Sequence, residues 1–119
     1  MNVLKKFTYI LAICLILFGC STPSIKDKAL AHDTEYISDT IIELYQQGKY
    51  EKCANFCDET YKAYHEILND LLENGANEDF APYAQDLKSI KACYQLVISQ
   101  YDSFVEDINV LISGFEAFN

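Results

Sequence analysis

The residues in this chain whose side chains can carry out chemistry are few: five cysteines and two histidines. Thiolates and imidazoles bind zinc, and cysteines also pair as disulfides. His65 follows Cys57 by eight residues, which is about 12 Å along a helix and too far for both to bind one ion. His32 joins the cysteines only if the chain folds back on itself. We therefore expect no metal and no cofactor.

Other catalytic signatures are missing from the sequence. It contains no G-x-S-x-G nucleophile motif, no glycine-rich phosphate loop and no H-E-x-x-H zinc motif. Adjacent acids occur at Glu78-Asp79 and Glu106-Asp107, but acids in this pattern usually form a solvated helix face rather than an acid–base pair. We expect a protein that is not an enzyme and has no small-molecule substrate.

The N-terminus has the three-part plan of a secretory signal. Two lysines, Lys5 and Lys6, precede an uncharged apolar run from Phe7 to Leu17, and the small residue Gly19 follows. A helix of this run is about 18 Å long, whereas the hydrocarbon layer of a bilayer is about 30 Å thick. The run therefore predicts a leader, residues 1–19, that is cleaved rather than a transmembrane anchor.

The junction Leu17-Phe18-Gly19-Cys20 resembles the lipobox of bacterial lipoproteins. The resemblance implies that Cys20 receives a diacylglycerol, becomes the N-terminus and is often acylated again, which gives stable anchoring. Ser21, in place of aspartate, implies transfer to the outer membrane, and we expect the domain on its periplasmic face. The alternative is an ordinary signal cut elsewhere, with Cys20 as an unmodified thiol.

The mature chain is strongly acidic. Loss of the leader removes Lys5 and Lys6 and leaves seven lysines, no arginine and eighteen acidic residues, a net charge of −11. Nucleic-acid binding needs clustered lysine or arginine, so a nucleic-acid partner is not expected. The acidic surface indicates either simple solubility or a basic partner.

Glycine and proline are sparse after the signal, which favours long helices over short strands. Residues 20–25, with Pro23, form a short lipidated tether, and residues 26–119 form one domain. Apolar spacing predicts helices over Lys26 to Gln47, Lys49 to Glu73 and Ala81 to Phe118. The expected fold is all-α, a small antiparallel bundle of three long helices.

The third predicted helix carries the strongest apolar pattern of the sequence. Unbroken, it would be about 55 Å long and would outrun its neighbours. A break near Ser99 to Ser103 would make four helices instead of three.

Residues 36–65 include the stretch Leu44-Tyr45-Gln46-Gln47-Gly48-Lys49-Tyr50-Glu51-Lys52-Cys53, which resembles the turn of a tetratricopeptide hairpin. The resemblance implies two closely packed helices joined at Gly48. One repeat cannot form a solenoid, so the segment is either a local hairpin or a fragment of a true repeat.

Three cysteines, Cys53, Cys57 and Cys93, remain in the folded domain. An exported domain meets oxidants, which favours a disulfide. If the second and third helices are antiparallel around Asn77, Cys93 lies opposite a residue near position 61, closer to Cys57 than to Cys53. We predict a Cys57–Cys93 disulfide, worth about 3 to 4 kcal/mol, with Cys53 as a buried free thiol; Cys53–Cys93 remains the alternative.

Aromatic residues at helical spacing are mainly core, but those at the edges of a stripe can form a groove for a partner helix. The candidates are Tyr61, Tyr83, Tyr101, Phe115 and Phe118, the last two as excess apolar surface. We expect a non-enzymatic lipoprotein adaptor that binds another cell-envelope protein, by analogy with secretion-system pilotins in size, anchoring and helicity only. The alternative is an immunity or surface-exclusion lipoprotein, whose acidic surface would suit a basic toxin.

Overall fold

The computed structural model describes residues 24–74, 80–98 and 102–117, and every regular element within these ranges is an α-helix. The predicted all-α class is confirmed. The predicted leader, Cys20 and most of the tether lie outside the described residues. The five helices are α1 (Ile25–Leu30), α2 (Thr34–Gln46), α3 (Tyr50–Glu73), α4 (Phe80–Ile98) and α5 (Ser103–Glu116). None of them is both long and apolar enough to cross a bilayer.

The first predicted helix, Lys26 to Gln47, is divided in two. α1 ends at Leu30, and His32 takes a left-handed backbone conformation with φ of 59°, which non-glycine residues adopt only in single turn positions. The Asp33 side chain then accepts a hydrogen bond from the Tyr36 N–H at 3.2 Å and caps the start of α2. The apolar spacing continues across this turn, and for that reason the spacing alone did not reveal it.

Gly48 ends α2 as expected, with φ of 76°. The Gly48 N–H donates to the Tyr45 carbonyl at 3.0 Å and the Lys49 N–H donates to the Leu44 carbonyl at 2.9 Å. This hydrogen-bond pattern is the Schellman motif, in which glycine takes the left-handed position without steric cost. The following helix, Tyr50–Glu73, matches the predicted second helix.

The predicted third helix is broken near Ser99 to Ser103, where a break was considered from its length. α4 ends at Ile98 and α5 begins at Ser103. Asp102 has an extended backbone, and its Oδ1 accepts from the N–H groups of Phe104 at 3.0 Å and Val105 at 3.3 Å. This cap satisfies two of the free N–H groups at the start of α5.

The helices do not pack in chain order. α4 packs mainly against α5 and α2, whereas α3 packs against α1, α2 and α5 and touches α4 only marginally. α3 and α4 therefore lie across the bundle from each other, with α2 and α5 between them. The described residues form a helical bundle of five helices, where the sequence predicted three, or four with a break in the last. Its largest fully buried side chains are Tyr64, Phe115, Ile37, Ile41, Ile67, Leu87, Ile90, Ile108 and Leu111.

Candidate functional site: a tyrosine groove at the break between α4 and α5

An open groove of about 470 Å³ lies between the N-terminal half of α3 and the break that separates α4 from α5. We call it the tyrosine groove. Its lining combines aromatic rings, two thiols and three aspartates, contributed by residues Tyr45, Tyr50, Cys53, Ala54, Cys57, Asp58, Tyr61, Tyr94, Ile98, Asp102, Ser103, Phe104 and Asp107. Four helices supply these residues, so the groove exists only in the folded bundle.

Asp102 and Tyr94 hold one wall of the groove in place. Tyr94, on the last turns of α4, is buried, and its hydroxyl donates a hydrogen bond to Asp102 Oδ2. Burial, together with this hydrogen bond, raises the pKa of Tyr94. The phenol therefore stays protonated and acts as a fixed donor that joins α4 to the cap of α5.

The thiols of Cys53 and Cys57 lie one turn apart on α3, and each residue is only 5% exposed. The Cys53 thiol donates a hydrogen bond to the Ile41 carbonyl at 3.5 Å. Burial is the main cause that raises the pKa of both thiols. Because the thiolate is the nucleophile and the metal ligand, this environment disfavours the reactive form of both cysteines.

The predicted Cys57–Cys93 disulfide is not formed, because Cys53, Cys57 and Cys93 are all free thiols. The predicted pairing assumed that α3 and α4 pack side by side along their length, whereas α3 touches α4 only marginally. Cys53 was expected to be the free thiol beside a Cys57–Cys93 disulfide; it is buried and free, and so is Cys57.

The aromatic rings of the groove form two angled pairs. Tyr45 and Tyr50 pack edge to face with centroids 5.3 Å apart, and Tyr94 and Phe104 pack at 52° with centroids 4.8 Å apart. Tyr50 is 62% exposed, so its ring is accessible to a ligand. The groove therefore presents aromatic surface beside a partly exposed acidic rim.

Of the five aromatic residues that were predicted to bind a partner, one lines the groove, two lie in the core and two lie outside the described residues. Tyr61 lines the tyrosine groove. Tyr83 and Phe115 are buried in the core, where their rings stack with centroids 5.4 Å apart, so neither presents apolar surface to a partner. Tyr101 and Phe118 lie outside the described residues.

Sequence reasoning missed most of the groove. Tyr45 and Tyr50 flank the Gly48 turn, and Tyr94 falls within the apolar pattern of the predicted third helix. The one local signal was Asp102, an aspartate directly before an apolar helix start, which is typical of an N-cap. Nothing in the sequence indicated that this cap would lie beside α3.

His65 borders the groove, since its ring stacks on Tyr61 with centroids 5.7 Å apart, whereas His32 lies elsewhere. His32 Nδ1 is 2.6 Å from Asp86 Oδ2, and the His32 ring packs on Tyr83 with centroids 4.7 Å apart. His65 contacts Asn69. Among the described residues, no three histidine, cysteine or acidic side chains are arranged to hold a metal ion.

A second groove, of about 480 Å³, lies beside the first described residue, Ser24. α1 and α2 supply Ile25, Lys26 and Tyr36, and α3 supplies Phe56, Glu59, Lys62, Ala63 and Glu66. Residues two apart on a helix point to nearly opposite sides. Because Cys57 and Tyr61 line the tyrosine groove while Glu59 and Ala63 line this one, the two grooves lie on opposite faces of α3.

Comparison of the chain with protein-family models, with curated proteins and with solved structures found no match in any of the three.

Proposed function

We propose that this chain is a non-enzymatic bacterial lipoprotein, anchored through Cys20 to the outer membrane, that acts as a periplasm-facing adaptor for another cell-envelope protein. The observation that carries the proposal is the tyrosine groove. It offers accessible aromatic surface, while its thiols are buried and protonated. Such a surface suits binding better than covalent chemistry.

The position of Ser24 supports an orientation in which the tyrosine groove points away from the membrane. Ser24 is four residues from Cys20, so an extended tether reaches at most about 14 Å. Ser24 lines the second groove, on the face of α3 opposite the tyrosine groove. A domain held this way directs the tyrosine groove away from the bilayer, toward a partner.

Lipidation is tested by labelling cells with palmitate. We expect the label in the native protein and in a Cys14→Ser variant, whose altered thiol lies within the leader, and no label in Cys20→Ser. Label retained in Cys20→Ser, or a Cys20→Ser protein that remains at the membrane, would overturn the anchoring.

Partner binding is tested by placing a photo-crosslinking amino acid at Tyr50 in living cells. The matched control is Leu72, which is also exposed but lies about 33 Å away along α3. We expect one envelope protein to crosslink at position 50 and not at position 72. Equal crosslinking at both positions, or none at position 50, would contradict the adaptor function. Crosslinking to a toxin would assign the chain to a protective role instead.

A further inference from the structure

We infer that the tyrosine groove recognises a basic side chain, a guanidinium or ammonium group, carried on an apolar segment of the partner protein. The inference rests on the proposed adaptor function and names the chemistry of its partner. It follows from the charge of the groove, the placement of its aromatic rings and its apolar floor.

The charged groups of the groove are all acidic. Within the part of the chain that the structure describes, Asp58, Asp102 and Asp107 line it, and no lysine does. Asp107 forms no ion pair with any described residue. Asp58 pairs with Lys62 at 3.0 Å, but both side chains are largely exposed, and such pairs along a helix are weak enough to exchange for another cation. Asp102 is already engaged by Tyr94 and the α5 cap.

The aromatic rings of the groove, like its carboxylates, favour a cationic ligand. A cation within about 6 Å of a ring face is attracted by its π electrons, and the exposed Tyr50 ring lies in an edge-to-face pair with Tyr45 at the groove. The bundle makes such a contact elsewhere, where the Lys28 ammonium lies 4.6 Å from the Tyr36 centroid. Tyrosine faces beside carboxylates thus provide two independent attractions for one cationic group.

Apolar residues complete the groove. Ile98, Phe104 and Ala54 line it beside the acids. Arginine and lysine have an apolar stem that packs on such residues while the charged end reaches polar groups. The groove is large enough for one long side chain with its apolar neighbours. An acidic ligand would meet three carboxylates, and a thiophilic metal ion would have to deprotonate two buried thiols, so a basic side chain fits best.

The test uses the mature lipidated protein in non-ionic detergent micelles and two synthetic peptides, acetyl-Leu-Arg-Leu-amide and acetyl-Leu-norleucine-Leu-amide. Norleucine keeps the apolar stem but lacks the charge. We expect the arginine peptide to bind at least about fivefold more tightly, as measured by NMR chemical-shift changes. The shifted resonances should belong to Tyr45, Tyr50 and Asp107.

Two double variants distinguish binding in the groove from general attraction of the peptide to the acidic surface. Asp58→Asn with Asp107→Asn should weaken binding of the arginine peptide about fivefold, to the level of the norleucine peptide. Glu35→Gln with Asp39→Asn removes the same charge from exposed positions on α2 and should change the affinity by less than about twofold, because exposed distant charges are screened.

Equal affinity for the two peptides, or equal losses in the two double variants, would overturn the recognition of a basic side chain. Shifts confined to the second groove would overturn it as well. These results would leave the crosslinking test at Tyr50 unaffected. A preserved arginine preference without any crosslinking in cells would instead overturn the adaptor function, so the two failures are distinguishable.

Discussion

Asp102 joins the end of α4 to the start of α5, because its Oδ2 accepts a hydrogen bond from the buried Tyr94 hydroxyl while its Oδ1 caps α5. One side chain therefore both turns the chain between two helices and shapes the wall of the tyrosine groove. This double role makes position 102 more sensitive to substitution than an ordinary exposed cap.

Asp102→Ala should lower the free energy of unfolding by about 2 to 3 kcal/mol, because it removes the cap and leaves the Tyr94 hydroxyl without its acceptor. Asp102→Asn should cost less, since asparagine also caps helices well. Urea unfolding measures both changes. Equal losses for Ala and Asn would show that the cap contributes nothing.

Tyr94→Phe, by itself and combined with Asp102→Ala, completes a double-mutant cycle. The single change should cost about 1 kcal/mol, the net contribution of a typical hydrogen bond. The combined loss should be smaller than the sum of the two single losses, because both remove the same bond. Additive losses would contradict the contact.

Tyr64→Phe should leave stability unchanged or raise it by up to about 1 kcal/mol. Tyr64 is fully buried, and its hydroxyl has no hydrogen-bond partner among the described residues. A buried hydroxyl without a partner costs desolvation energy that phenylalanine avoids. Tyr94→Phe is the matched comparison, since its hydroxyl is bonded. A loss of more than about 1 kcal/mol in Tyr64→Phe would indicate that this hydroxyl has a partner.

Cys93 should be the thiol in the folded domain that reacts first with a thiol reagent such as DTNB. It is half-buried, whereas Cys53 and Cys57 are almost fully buried, with raised pKa values. We expect one fast thiol in native protein and three in urea, and Cys93→Ser should abolish the fast one. A fast thiol that persists in Cys93→Ser would contradict the burial of the α3 pair.

Stability should fall as the pH rises above about 9, near the ordinary range of thiols and phenols. The pKa values of Cys53, Cys57, Tyr64 and Tyr94 are raised in the folded state. In alkali the unfolded chain loses these protons while the folded chain keeps them, so unfolding becomes more favourable. Below that range both states are protonated and the effect is absent.

Urea unfolding between pH 8 and 11 measures this dependence. Tyr94→Phe should flatten it, because phenylalanine has no proton to lose, whereas substitution of the exposed Tyr50 should not. If Tyr94→Phe leaves the pH dependence of the unfolding free energy unchanged, the buried phenol is not the source of that dependence.

Local sequence information determined the helical class and several boundaries. α3 lies where it was predicted because Gly48 ends the preceding helix through backbone conformation and short-range hydrogen bonds, which need no distant partner. The break near Ser99 to Ser103 was also foreseeable, from helix length. The α1–α2 turn was missed because apolar spacing survives a short interruption, even though Asp33 supplied a cap signal.

What tertiary structure alone decided is which helices touch. An apolar stripe indicates that a helix has a buried face, but it does not indicate which other helix packs on that face. The sequence therefore did not distinguish Tyr83, in the core, from Tyr61, in the groove. For the same reason the Cys57–Cys93 register, which depended on adjacency of α3 and α4, was wrong. The tyrosine groove joins residues about fifty positions apart, and only the packing of α3 against α5 brings them together.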